Sequence, residues 1–334
     1  DVCSSDLSNM TDIILLSTKN SEYFSNLIYD HLTKSGIMIN KLDIMRANFP
    51  DGENYYRIDV QSNFDLLGKT AIYVCALTND SDILEVYRVG STLAQYGVKR
   101  RIFVIPFLAY STMERAVRLG EIVTAKCTIQ MLSSIGSGGN NVFLLFDLHT
   151  SGLLHYFEGS SLRLEIYGQK ALQRALPILG FDSKTYMFAS ADLGRTSWVN
   201  AFARDNKTGV AFIRKMRTNI DGKVSTQVCE VIGNVKGYHL IIYDDMTRTG
   251  GTLIHAAEAY FANGALTVDV MVSHLALIGE KEINDLINSP IRKVIATNSH
   301  PSTQHPLIKQ SDKFIIIDAT TEFEGLLAEM LPKT

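Results

Sequence analysis

The chain has 334 residues, of which 46% are apolar and 20% are charged, and this length suits a globular protein with about two ordinary domains. A net charge of −3 provides no basic footprint, which argues against nucleic acid as a ligand. No apolar run approaches membrane-spanning length, so no membrane partner is expected. The four cysteines lack metal-ligand spacing and no secretory signal precedes them, so we expect a cytoplasmic protein.

Predicted strands and helices alternate from Met10 onward, and we exclude the polar residues before it from the fold. The first half predicts strand 12–17, helix 21–34, strand 70–77, helix 82–96, strand 101–107, helix 124–135 and strand 141–148. The second half predicts helix 162–179, strand 185–190, helix 195–203, strands 210–215 and 226–232, a central strand 239–245 with its helix, and strands 266–274, 293–297 and 313–318. Continuous apolar strands between helices predict mostly parallel sheets that are covered on both faces.

The two halves follow similar plans, because in each an apolar strand ends in an acid before a loop of hydroxyl residues and glycine. These loops are residues 147–152 and 244–252. Internal duplication of a unit of roughly 150 residues is therefore plausible. We predict an N-terminal domain over 10–160 and a C-terminal domain over 161–312. The strand and helix of residues 313–334 form a last segment, and the pattern leaves open whether they pack on the N-terminal domain.

The stretch from His239 to Ala265 reads as a strand, a Thr/Gly-rich loop and the start of a helix. Gly250 and Gly251 permit backbone angles that turn several N–H groups inward, and the helix adds its positive end, so the loop suits a phosphate. The adjacent Asp244 and Asp245 only accept hydrogen bonds when ionised, which suits sugar hydroxyls. A phosphorylated ribose is one interpretation; an ordinary βα loop with solvated or capping acids is the other.

Other nucleotide and metal motifs are absent from the sequence. No Gly-x-x-x-x-Gly-Lys-Ser/Thr run exists, because Asn63 stands where the first glycine before Gly68 should be, and no Gly-x-Gly-x-x-Gly opens a helix. His300 and His305 suggest a metal pair, but Pro301 breaks the helix that such a pair needs. We therefore interpret both histidines as loop residues.

Residues 241–252 resemble the phosphoribosyl-binding loop shared by type I phosphoribosyltransferases and ribose-phosphate pyrophosphokinases. The resemblance to the pyrophosphokinases extends over nearly the whole chain from about Met10. Four further segments are similar to motifs of that family, in the family's order: Phe49-Pro50-Asp51-Gly52-Glu53, Phe146-Asp147-Leu148-His149, Ala191-Asp192 with Gly194, and Ile213-Arg214-Lys215-Met216-Arg217. The resemblance implies two tandem type I phosphoribosyltransferase-like α/β domains, each a mostly parallel sheet flanked by helices. It also implies transfer of the β,γ-diphosphoryl group of ATP to the anomeric hydroxyl of ribose 5-phosphate.

The resemblance assigns roles to residues of this chain at four sites. Ribose 5-phosphate binding falls to Asp244, Asp245, Thr247, Arg248, Thr249, Gly250, Gly251 and Thr252; ATP binding to Phe49, Asp51, Gly52, Glu53, Thr112 and Met113; catalysis to Lys215 and Arg217; and Mg²⁺ binding to His149 and Asp192. Phe49 would stack on adenine, although Pro-Asp-Gly is also strong turn chemistry whatever the function. In the family this segment reaches the ATP site of a neighbouring subunit, which implies a homo-oligomer.

Lys215 and Arg217 fit the chemistry of diphosphoryl transfer. They follow a predicted strand, and their i, i+2 spacing in an extended segment points both side chains to one face. Cations there would stabilise the charge of the transferring group. With Arg214, the same residues could instead form a solvated basic patch.

Two departures from the family pattern leave alternatives open. Thr112 and Met113 stand where most members have an Arg-Gln pair that contacts ATP, and Arg248 stands where pyrophosphokinases usually have Asp. A catalytically silent regulatory homologue is therefore one alternative function. A phosphoribosyltransferase that consumes the diphosphate sugar is another.

Overall fold

The computed structural model describes residues 12–62, 64–220 and 223–331, and the side chains of residues 215–229 lie outside the described part. The chain forms two compact units. The first unit contains the described residues up to Tyr167 and those from Ala319 onward, and the second is Gly168–Asp318. The sequence-based division instead placed the boundary between residues 160 and 161 and grouped residues 313–334 as one segment.

Fifteen strands are described in chain order: β1 (Ile13–Ser17), β2 (Asn40–Lys41), β3 (Ile44–Asn48), β4 (Asn54–Ile58), β5 (Thr70–Val74), β6 (Arg100–Ile105), β7 (Asn141–Phe146), β8 (Leu162–Ile166), β9 (Tyr186–Ser190), β10 (Gly209–Ile220), β11 (Lys223–Ile232), β12 (His239–Thr247), β13 (Thr267–Leu275), β14 (Val294–Thr297) and β15 (Phe314–Ile317). The described α-helices are α1 (Glu22–Lys34), α2 (Asp80–Gln95), α3 (Thr124–Ser133), α4 (Gln169–Gln173), α5 (Leu176–Leu179), α6 (Thr196–Asp205), α7 (Gly251–Ala262), α8 (Glu280–Asn288), α9 (Pro306–Gln310) and α10 (Thr320–Met330).

The first unit is built on a six-stranded sheet in the order β2-β1-β5-β6-β7-β8. All of its strand pairs are parallel. Its central strands are buried on both faces because α-helices cover them, which explains why they read as continuous apolar runs. The C-terminal helix α10 closes one face, where Phe323 meets Phe24 of α1 edge to face at 5.6 Å between ring centroids.

The second unit is built on a seven-stranded sheet in the order β11-β10-β9-β12-β13-β14-β15. Its pairs are parallel except β10 with β11, which is antiparallel. β12 therefore occupies the central position that the sequence predicted for 239–245. Ligands of such sheets bind beyond the carboxyl ends of the strands, so the loop after β12 stands where a site is expected.

The prediction of an α-helix over residues 162–179 was wrong. Residues Leu162–Ile166 form strand β8, and helices α4 and α5 follow it. The sequence Leu-Arg-Leu-Glu-Ile alternates apolar and charged side chains, which is the period of a half-buried strand. Pairing with β7 at the sheet edge satisfies its backbone, and this long-range partner is invisible to a local helical pattern.

Candidate active site

The loop after β12 has the backbone geometry of a phosphate cradle. Gly250 has φ +76° and stands immediately before α7, and its N–H donates to the Thr247 hydroxyl at 3.1 Å. The first N–H groups of α7 have no partner inside the helix, so they point at the space in front of the loop. Of the predicted phosphate-binding residues, Thr247 and Gly250 are buried, Gly251 is half-buried, and Arg248, Thr249 and Thr252 are exposed.

The residues that follow β13 hydrogen-bond to the backbone of this loop. The Ala276 N–H donates to the Thr247 carbonyl at 2.9 Å, and the Ile278 N–H donates to the Arg248 carbonyl at 3.2 Å. These two hydrogen bonds restrict the backbone of the loop at Thr247 and Arg248. Preorganisation of this kind lowers the entropy cost of binding.

Replacing Gly250 with alanine should weaken ribose 5-phosphate binding by about tenfold, since a non-glycine residue at positive φ costs on the order of 1–3 kcal/mol. A Cβ at Gly250 would also lie 2.9 Å from Leu286 Cγ, inside the usual contact distance. Gly251→Ala is the matched control, because a Cβ there meets only the Thr249 hydroxyl at 3.7 Å. Calorimetric titration of both variants measures the difference; equal affinities would show that the φ of Gly250 is not required.

Asp244 and Asp245 lie at the end of β12 and share a guanidinium. The nearest Arg195 atoms are Nη2, 2.6 Å from Asp245 Oδ2, and Nε, 3.9 Å from Asp244 Oδ1. Burial, and then the charge of Asp245, raise the pKa of Asp244 well above its ordinary range. The Asp245 N–H donates to Asp244 Oδ1 at 2.9 Å. The two acids therefore interact directly with each other, next to the phosphate-binding loop.

Asp192 follows the end of β9, the strand that pairs with β12 on the side away from β13. Residue Ser190 of β9 is paired with Tyr243 of β12, so the chains that leave the two strands start side by side. Asp192 is half-buried, and its Oδ1 accepts the Gly194 N–H at 2.7 Å. The structure thus brings the predicted ribose acids and one predicted metal ligand to the same edge of the second unit.

Lys215 and Arg217 belong to β10, but their side chains lie outside the described residues. Their backbones pair with Cys229 and Gln227 of β11. The described pairing of β10 with β9 covers only Gly209 to Ala211, so both positions lie beyond it on the β10–β11 ribbon. Their catalytic role stays a prediction.

In the first unit, the loops after β6 and β7 hold Thr112, Met113 and His149. β6 and β7 are neighbours, so both loops leave the same edge of the sheet. The Tyr156 hydroxyl donates to the Glu114 carbonyl at 2.6 Å and ties the two loops together. Met113 is 37% exposed, whereas Thr112 and His149 are half-buried.

The strand end before His149 has an unusual backbone. Asp147 is buried and has φ +45°, a conformation that few residues other than glycine adopt. The N–H of Leu148 donates to Glu165 Oε1 at 3.2 Å. Burial raises the pKa of Glu165, and the neighbouring Asp147 adds to the effect. His149 therefore follows a sharply turned and acidic segment.

Residues 49–53 form the tip of an antiparallel β3–β4 hairpin. The Phe49 N–H donates to the Glu53 carbonyl and the Gly52 N–H to the Phe49 carbonyl, both at 2.9 Å. Gly52 has φ +91°, as a turn requires, and Asp51 Oδ1 accepts the Glu53 N–H at 3.1 Å. Phe49 is 51% exposed and meets Tyr55 edge to face. The turn interpretation is therefore correct, and the exposed ring remains a candidate for adenine stacking.

His300 and His305 act as helix caps. Nδ1 of His300 accepts the Ser302 N–H at 3.1 Å, and Nδ1 of His305 accepts the Leu307 N–H at 3.3 Å. Burial, with smaller effects from His274 and Arg248, lowers the pKa of His300 to about 3, so it is neutral near pH 7. Across the part of the chain that the structure describes, no group of three or more His, Cys, Asp or Glu side chains forms a metal cluster. The described helices also include none that is both long and apolar enough to cross a bilayer.

Comparison with known proteins matches both halves of the chain to one group of enzymes. Residues 13–136 match the N-terminal domain of ribose phosphate pyrophosphokinase, and residues 205–330 match the phosphoribosyl synthetase-associated domain. The ribose-phosphate pyrophosphokinase of Pasteurella multocida is 30% identical over 296 residues, which is 86% of this chain and 87% of that protein. That of Shewanella oneidensis is 31% identical over 273 residues, 78% and 79% of the two chains. The chain belongs to the ribose-phosphate pyrophosphokinase family.

The crystal structure of phosphoribosylpyrophosphate synthetase from Mycobacterium smegmatis has the same fold. It superposes with a TM-score of 0.78 at 20% identity and covers 95% of this chain and 98% of its own. The expected α/β fold with two domains and mostly parallel sheets is thereby confirmed.

The sequence analysis did not identify Arg195 as a residue of this site. It stands three residues after Asp192, at the N-cap of α6, where arginine is not a usual capping residue. An arginine at an N-cap position is the feature of the sequence that could have drawn attention to Arg195. Only the adjacency of β9 and β12 shows what it pairs with.

Proposed function

We propose that this protein transfers the β,γ-diphosphoryl group of ATP to the anomeric hydroxyl of ribose 5-phosphate, giving phosphoribosyl diphosphate and AMP. The observation that carries the proposal is the β12 loop, where two acids, a glycine at φ +76° and a helix N-terminus follow one another in a chain of this family. The anomeric oxygen bonds to the β-phosphorus while that phosphorus loses its bond to the α,β-bridging oxygen. AMP leaves with that oxygen, and the hydroxyl proton is released.

The second unit would bind ribose 5-phosphate. The N–H groups at the start of α7 would hold the phosphate, with the hydroxyls of Thr249 and Thr252 at the exposed rim. The acids at the end of β12 would accept hydrogen bonds from the ribose hydroxyls, as ionised carboxylates do. Arg248, which is exposed, would add a cation beside the phosphate.

The first unit would bind ATP. Phe49 would stack on adenine, and Asp51 and Glu53 would accept hydrogen bonds from its amino group. Thr112 and Met113 offer neither a charge nor an amide, so they would contribute shape and packing to the nucleotide site. Because the hairpin tip is exposed, we propose that it serves the ATP site of a neighbouring copy in a homo-oligomer.

The donor set suits a Mg²⁺ requirement. Asp192 would supply a carboxylate oxygen, the ligand type that Mg²⁺ prefers, and His149 would supply a less typical nitrogen. Asp192 belongs to the second unit and His149 to the first, and each is proposed as a metal ligand within its own unit. Mg²⁺ bound at these residues would neutralise charge on the phosphate chain and align it. Lys215 and Arg217 would stabilise the charge that develops on the transferring group. We also propose a cytoplasmic location.

Incubation of the purified protein with ribose 5-phosphate, ATP and Mg²⁺ tests the function. Phosphorus NMR should show AMP and a diphosphorylated sugar appearing in equal amounts. Absence of AMP across several nucleotides and phosphate concentrations would refute the proposal. A protein that instead consumes phosphoribosyl diphosphate when a nucleobase is added would be a phosphoribosyltransferase.

A further inference from the structure

Arg195 occupies the acidic end of the candidate ribose site. It follows β9 by five residues and caps α6, and its side chain is only 13% exposed. Its Nη2 lies 2.6 Å from Asp245 Oδ2, the length of a strong charge-assisted hydrogen bond. An arginine this enclosed, in contact with an acid of the candidate ribose site, is part of that site's structure.

The two acids are not equivalent toward this arginine. The Asp245 side chain is 7% exposed and makes the short contact, whereas the Asp244 side chain is 20% exposed and lies 3.9 Å from Arg195 Nε. The more accessible acid is therefore the one with the weaker hold on Arg195.

We infer that Arg195 is a positioning residue that occupies the Asp245 carboxylate and leaves Asp244 as the acid that receives the ribose hydroxyls. This inference rests on the proposed function, and it assigns different roles to two acids that the sequence pattern treated alike. Two adjacent carboxylates repel each other and repel an incoming sugar phosphate. The positive charge of one guanidinium reduces this repulsion, and its short contact holds the Asp245 carboxylate in place beside Asp244.

Binding of ribose 5-phosphate alone, measured by calorimetry without ATP, tests the inference. Arg195→Met should raise the dissociation constant roughly 10- to 100-fold, the usual effect of removing a residue that orients a ligand-binding side chain. Arg195→Lys should recover part of the loss because it retains the charge without the planar fork. The KM for ribose 5-phosphate should rise in step, while the KM for ATP stays within about twofold.

Double variants identify the partner. In the Asp245→Asn background, Arg195→Met should have a much smaller effect than in the natural protein, because the pair is already broken. In the Asp244→Asn background, Arg195→Met should raise the dissociation constant by nearly as large a factor as in the natural protein. Arg204→Met is the matched control, since Arg204 is on the same helix, is 79% exposed and contacts the adjacent Asp205 at 3.3 Å. Arg204→Met should bind ribose 5-phosphate with the affinity of the natural protein.

Unchanged affinity in Arg195→Met would overturn the inference, as would independent effects of Arg195→Met and Asp245→Asn. If Arg195→Met does not fold, Arg195→Lys and Asp245→Asn decide the same question. A protein that makes AMP but binds ribose 5-phosphate independently of Arg195 refutes the inference alone. A protein that makes no AMP, yet loses sugar-phosphate binding with Arg195→Met, refutes the proposed reaction and leaves the inference standing.

Discussion

Replacing Lys215 with alanine should lower kcat by roughly 10²- to 10³-fold, the usual loss when one group that stabilises transition-state charge is removed. Ribose 5-phosphate binding should persist, because the loop after β12 and the acids before it are untouched. Steady-state kinetics with both substrates, together with calorimetry on the sugar phosphate, measure the two effects separately. An equal loss of binding and turnover would instead place Lys215 in ground-state recognition.

Arg214 provides a matched control for that experiment. It is adjacent to Lys215 on β10, and its side chain belongs to the described part of the strand. Its Nε donates to Glu230 Oε2 at 2.7 Å across the β10–β11 pair, and its side chain is 52% exposed. Arg214→Ala should therefore leave turnover within about twofold, since exposed ion pairs contribute little. A similar loss in both variants would indicate damage to the ribbon and not to a catalytic cation.

Replacing Arg292 with methionine should lower the free energy of unfolding of the second unit by about 3–5 kcal/mol, because it leaves a buried charge unpaired. Asp269 of β13 is fully buried, and Arg292 holds it through two contacts: Nε to Oδ1 at 2.9 Å and Nη2 to Oδ2 at 2.6 Å. Nη2 of Arg292 also donates to the Tyr186 hydroxyl at 2.6 Å. The pair thus links β13 to β9 near the amino-terminal ends of both strands.

Chemical denaturation measures this loss. The chain has a single tryptophan, Trp198 on α6, so its fluorescence reports on the second unit. Lys281→Met is the control, because Lys281 and Asp285 form an exposed pair at 2.6 Å with side chains 79% and 45% accessible. Lys281→Met should lower the free energy of unfolding by less than about 1 kcal/mol. Arg292→Met and Lys281→Met with the same midpoint would show that the buried pair is not needed.

Several features of the fold were predictable from local patterns. Apolar runs between amphipathic helices predicted parallel sheets, and residues 239–245 were predicted as the central strand that β12 proved to be. Leu162–Ile166 was not recognised as a strand, because five alternating residues next to a helical pattern are too short to decide. The β3–β4 hairpin was recognised only at its turn, since Pro-Asp-Gly acts locally whereas the strand pairing does not.

The sequence by itself determined which residues form the phosphate-binding loop, since an acid pair, two glycines and a helix start are consecutive in the chain. It also determined the family, because its motifs occur in order. Only the tertiary structure decided that Arg195 pairs with Asp245 and that Ala319 returns the chain to the first unit. The first depends on which strands are neighbours in the sheet, and the second depends on the packing of α10 against α1. Strand order brings together residues about 50 positions apart, and no periodicity along the chain records that proximity.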